Sequence, residues 1–184
     1  AFEFVQTPKE VAAFFGAEAS PQRQALVAAM DLGNKLDYAY MVLYSLFLGW
    51  FSLTCAAVTG RRFFYVPAGL SAVALIGDAL ENVQLLSITA KLTTMEINAE
   101  LAALQTYTWI KWGSLALIFL LLSPYFFKGG WFSKIIGGAG VICFVAGCVS
   151  FFHRSAANEV FGALTGVIFL LMIIYSFIFR HHVD

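Results

Sequence analysis

Long apolar runs fill most of the chain, and short polar clusters cut them at intervals. Five of these runs come close to the ~20 residues that a helix needs to cross a ~30 Å hydrocarbon layer. They lie at about 36–58, 63–88, 106–127, 135–152 and 160–179. The runs are continuous rather than alternating, which excludes a β-barrel. The pattern predicts an all-α polytopic membrane protein, a bundle of five transmembrane helices over 36–184 preceded by an N-terminal amphipathic, interfacial helical segment over 1–35.

Local signals place the breaks. Thr7-Pro8-Lys9-Glu10 reads as a helix start, with a Thr cap, Pro at the first helical position and Glu closing a capping box. Val11, Phe14 and Phe15 fall on one face of that short helix, which is expected on the bilayer surface or against the bundle. The stretch from Gly16 to Ser20 ends it, and Ser20-Pro21 starts a second helix that can run into the first span. Thr59-Gly60-Arg61-Arg62 is a tight turn. Pro67 sits in the first turns of the second span, where proline is tolerated. Thr93-Thr94-Met95-Glu96 reads as a second capping box leading into the third span. Lys128 to Lys134 and His153 to Glu159 are the last two turns.

Small residues recur in the last two spans. Ala139, Cys143 and Gly147 are four apart in the fourth, and Gly162 and Gly166 form a GxxxG in the fifth. Such stripes let helix backbones approach closely, so a tight hairpin is expected here.

Composition agrees with the pattern. Apolar residues make up 60% and charged residues 12% of the chain, against roughly 25% charged in soluble domains; the mean hydropathy is +0.80. Formal net charge is zero, so nucleic acid is not an expected partner. The expected partners are the lipid bilayer and other membrane protein subunits or further copies of the chain. The opening Ala-Phe-Glu-Phe has neither a basic segment nor an apolar core of its own, so no secretory signal is expected in it. Cys55, Cys143 and Cys148 all lie in apolar runs and read as packing residues.

The distribution of basic residues sets an expected topology. Arg61, Arg62, Lys128, Lys134 and Arg180 fall on one side, the first four in short turns. Lys9, Arg23, Lys35, Lys91 and Arg154 fall on the other. Basic charge in short loops marks the cytoplasmic side, so the N-terminus is expected outside and the C-terminus in the cytoplasm, in a bacterial inner membrane.

One stretch breaks the apolar rule. Gly77-Asp78-Ala79-Leu80-Glu81-Asn82 lies inside the second run, and Lys111 lies inside the third, between Trp109 and Trp112. Asp31, Asn34, Asp37 and Tyr38 crowd the start of the first, with Met41, Tyr44 and Ser45 continuing inward. An ionised Asp, Lys or Arg at the bilayer centre costs about 2.5–3.5 kcal/mol on insertion scales. These groups are therefore expected to face inward and find partners: Lys111 with Asp78 or Glu81, and Asn82, Asn34 and tyrosine hydroxyls on the remaining lone pairs. One carboxylate is left over, either protonated or reached by water.

That constellation supports a helix-locking network or an outward-facing polar cavity for a ligand, ion, proton or lipid headgroup. Asp31, Asp37, Asp78 and Glu81 offer hard oxygen ligands, yet no histidine lies among them and Lys111 would repel a cation, so no metal site is expected. No Ser-His-Asp arrangement is visible, and no histidine sits in mid-span to hold a haem; no cofactor is expected. His181 and His182 read as a solvated tail. The expected function is an accessory subunit of a larger membrane complex or a small-ligand or lipid-binding membrane module. An intramembrane enzyme acting on a lipid or lipid-linked substrate is the alternative.

Overall fold

A computed structural model describes residues 2–16, 20–153 and 157–178. Its elements are a 3-10 turn at Phe2–Phe4 and six α-helices: α1 Pro8–Phe15, α2 Pro21–Thr59, α3 Tyr65–Ala90, α4 Asn98–Phe126, α5 Trp131–Phe152 and α6 Ala157–Ile178. The fold is all-α, and α2 to α6 are each long and apolar enough to cross a membrane. Phe179 at the end of the expected fifth span, Arg154 in the expected last turn, and Arg180, His181 and His182 lie outside the described residues, as do positions 17–19 of the expected first break.

The helix starts follow their sequence signals at two of three places. Thr7 accepts the Glu10 N–H at 3.2 Å, and the Glu10 carboxylate reaches back to the Gln6 N–H at 2.8 Å, one residue before the cap. Ser20 accepts the Arg23 N–H at 3.1 Å and starts α2. The third expectation is overturned. Thr93 to Glu96 caps no helix, because α4 starts only at Asn98. Thr94 and Met95 instead donate their N–H groups to the Lys91 carbonyl, and Met95 takes a φ of 54°. Thr94 and Met95 thus form the turn that follows α3. Gly60, with φ 66°, ends α2 in the left-handed conformation that glycine adopts most readily.

The chain divides into two compact units, 1–45 with 73–111 and 46–72 with 112–184. In the first unit, Val11 and Phe15 of α1 are buried with Phe2, Val5, Leu85, Ile88, Ile97, Leu101 and Leu104 in one apolar cluster. The N-terminal segment therefore uses its apolar face to build this core. Residues 36–45 continue the same helix as 21–35, without a break.

The second unit packs with aromatic rings and small residues. Phe51 stacks on Phe126 at 5.5 Å and meets Tyr125 edge-on at 6.1 Å, and Tyr175 meets Phe126 at 5.3 Å. The α5–α6 hairpin is close, as the small residues predict, and the α5 stripe makes it so. Cys143 contacts the Thr165 hydroxyl at 3.5 Å, and a Cβ on Gly147 would lie 3.1 Å from the Phe161 ring. The α6 glycines do not: a Cβ on Gly162 would meet the Trp112 ring of α4 at 3.8 Å, and one on Gly166 would meet nothing within 4 Å. The tightest glycine of α5 is Gly140, where a Cβ would fall 2.7 Å from the Phe119 carbonyl oxygen of α4.

Candidate functional site

The polar cluster lies in the first unit, and Gly77 makes it possible. A Cβ at this position would stand 2.9 Å from the Lys111 backbone nitrogen and 2.9 Å from the Ile110 side chain. Only a residue without a side chain lets α4 come this near α3. The approach sets Lys111 directly against Asp78, the next residue on α3.

Lys111 is the hub. Its ammonium lies 3.1 Å from Asp78 Oδ1 and 3.1 Å from Glu3 Oε2, and it also pairs with Glu81 Oε2. A lysine ammonium has three hydrogens and no acceptor, so three carboxylates match its full capacity. The second oxygens are taken too. Tyr44 donates to Asp78 Oδ2 at 2.7 Å, and Thr108 lies 2.6 Å from Glu81 Oε1, where its hydroxyl donates. Asp78 is 2% exposed, Glu81 0% and Lys111 8%. At such burial an unpaired charge would cost several kcal/mol; each of these three side chains touches a charge of opposite sign, and the carboxylates around Lys111 outnumber the ammonium three to one.

A second contact sits beside the first. Asn82 Nδ2 donates to Asp37 Oδ2 at 2.8 Å, and the Tyr38 hydroxyl donates to the Ala79 carbonyl at 3.4 Å. Both tie α2 to α3 within one turn of Asp78. Asp37 is half-buried, whereas Asn82 is 2% exposed.

Of the eight residues expected to cluster, the structure brings Asp78, Glu81 and Lys111 into contact and sets the Asp37–Asn82 pair and Tyr38 alongside. Asp31 is elsewhere: its Oδ1 accepts from the Thr89 hydroxyl at 2.7 Å, two turns further along α3. Asn34 is buried, but its Nδ2 meets no hydrogen-bond acceptor. Of the four carboxylates considered as hard metal ligands, Asp78 and Glu81 share Lys111, whereas Asp37 and Asp31 serve Asn82 and Thr89. No group of three His, Cys, Asp or Glu side chains among the described residues is arranged to hold a metal ion.

Two members of the network, Glu3 and Thr108, fall outside the expected residues, and Tyr44 supplies one of the expected tyrosine hydroxyls. Glu3 is the single acid in Phe2-Glu3-Phe4, and that apolar setting was the available signal. Thr108 stands three residues before Lys111, on the same helix face. Tyr44 lies two turns after Asp37 on α2, in line with the inward-running side chains.

Comparison with known proteins adds no likeness. No protein-family model, no curated protein and no solved structure matches this chain. Functional inference rests on the chemistry of the residues themselves.

Proposed function

We propose that this chain is a non-catalytic integral membrane protein, an accessory subunit of a larger membrane complex, and that the Lys111 cluster locks its helices in register. The observation that carries this reading is the closure of the cluster. Lys111 has three carboxylates for three hydrogens, and the remaining oxygens of Asp78 and Glu81 have hydroxyl donors. A catalytic base or a ligand-binding group needs an atom that a ligand can reach, and the carboxylates of Asp78 and Glu81 are buried against Lys111. A buried, fully paired network is well suited to fixing register.

Trp50 supports the subunit half of the reading. It is 77% exposed, and it lies nine residues from the end of α2, ~14 Å along the axis at 1.5 Å per residue. Tryptophan favours the membrane interface, where its N–H is wet. At mid-depth the indole N–H has only a neighbouring protein to bond, and a partner helix would supply the acceptor. The topology that fits places the N-terminus outside and the C-terminus in the cytoplasm of a bacterial inner membrane. It is supported by Arg61, Arg62, Lys128 and Lys134 in short turns.

Native mass spectrometry after gentle extraction from the source membrane tests the proposal. The wild-type chain should leave within a defined larger assembly, and Trp50→Leu should leave as a single chain with an unchanged melting temperature. A wild-type chain that always leaves alone contradicts the reading. An intramembrane enzyme is the alternative from another class, and the half-buried Asp37 held by Asn82 is the carboxylate it would use. Turnover of a lipid-linked substrate that Asp37→Asn abolishes, with assembly intact, would favour it.

A further inference from the structure

A cleft of about 480 Å³ lies in the first unit, away from the Lys111 cluster, and is lined by Arg23, Val27 and Asp31 of α2, Thr89 of α3, and Leu92 and Thr93 beyond it. Its volume is within the range of small-molecule sites, roughly 300–1,000 Å³. Arg23 is only 8% exposed. Its guanidinium donates to the Gly16 carbonyl at 3.3 Å and to the Leu92 carbonyl at 3.1 Å. Those bonds use two of its five N–H groups, and no carboxylate among the described residues neutralises its charge. Asp31 carries the opposite charge at the same cleft. Thr89 occupies its Oδ1, and its Oδ2 has no partner among the described residues. The cleft thus presents a buried cation with donors to spare and a carboxylate oxygen with nothing to accept, eight residues apart on one helix.

The position in the chain narrows the ligand. The 39 residues of α2 extend ~58 Å, whereas the hydrocarbon layer is ~30 Å thick. Counted from a span that starts at about 36, Asp31 lies ~8 Å and Arg23 ~20 Å beyond the hydrocarbon layer. Phosphate, like carboxylate, matches a guanidinium fork, and a primary ammonium can donate to the open Asp31 oxygen.

We propose that this cleft binds a phosphoethanolamine headgroup, with the phosphate on Arg23 and the primary amine on Asp31. The inference does not rest on the subunit reading. The two sources of this chemistry are a bilayer phospholipid and a soluble ester.

The test titrates the detergent-solubilised full chain with phosphatidylethanolamine, phosphatidylcholine and phosphatidylglycerol, and reads the bound fraction by native mass spectrometry. Wild type should half-saturate with phosphatidylethanolamine at about tenfold lower concentration than with the other two, because one charge-assisted hydrogen bond is worth about tenfold. Asp31→Asn still accepts from Thr89, so it should fold and should lose that preference. Arg23→Gln should weaken all three lipids about tenfold. Competition by soluble phosphoethanolamine at similar concentration would assign the ligand to a soluble ester, and failure to compete would assign it to a lipid. Equal half-saturation of wild type by the three lipids overturns the proposal, as does a preference that survives Asp31→Asn. If Arg23→Gln does not fold, the wild-type series and Asp31→Asn still decide.

Discussion

The two units of this chain solve the same packing problem with different chemistry. The first sets a lysine among three carboxylates and closes the ring with hydroxyls from Tyr44 and Thr108. The second uses rings and glycines: Phe51, Tyr125, Phe126 and Tyr175 interlock, and α5 meets α4 at Gly140. Both contain one glycine at which helix backbones nearly touch, Gly77 and Gly140. What differs is directionality. A ring cluster tolerates small rotations of its helices, whereas an ammonium with three fixed acceptors does not. The contrast teaches that the polar unit gains specificity of register at a high risk, since losing one member strands the others in a dry interior.

The contrast breaks most sharply at Lys111. Lys111→Met leaves Glu3, Asp78 and Glu81 clustered without their cation, and should destabilise the protein by about 3–5 kcal/mol, read as a large fall in melting temperature in detergent. Next come the glycines. Gly77→Ala and Gly140→Ala each drive a methyl group against backbone atoms and should cost about 1–3 kcal/mol. Gly166→Ala, where a Cβ meets nothing within 4 Å, should be neutral or stabilising in the same melting experiment. Tyr44→Phe removes only the donor to Asp78 Oδ2 and should cost about 1–3 kcal/mol, with the Lys111 contacts retained. Among the substitutions that remove or crowd a contact, Phe51→Leu in the ring cluster should cost least, because both side chains are apolar and the neighbouring rings can close up. If Phe51→Leu proves more damaging than Tyr44→Phe, the contrast between directional and adaptable packing fails.

Much of this was legible before any coordinates. The five apolar runs became five long helices, because twenty apolar residues have few other stable arrangements. Asp78, Glu81 and Lys111 were legible as mutual partners because charge is so costly in an apolar run that pairing is nearly forced. Glu3 was not, since a short N-terminal stretch carries no periodicity to say where it folds back. Asp31 was grouped with Asp37 on spacing alone, but the antiparallel course of α2 and α3 hands it to Thr89, at a different height. The small-residue pattern pointed to the right hairpin and to the right side of α5, at Cys143 and Gly147, but not of α6. Spacing tells which residues share a face but not which face meets the partner helix, and Gly162 and Gly166 do not meet α5. Thr93 to Glu96 matched a helix cap in letters, and the backbone there forms the turn after α3 instead.

The central claim is that the Lys111 cluster is a closed structural lock. Its most direct test compares the melting temperatures of wild type, Lys111→Met, and the combined variant Lys111→Met with Asp78→Asn and Glu81→Gln. The lock predicts a large loss in the single variant and recovery of most of it in the combined one, because removing the two deeply buried stranded charges leaves only the more exposed Glu3. A Lys111→Met protein that melts like wild type would contradict it, for then the ammonium holds nothing together.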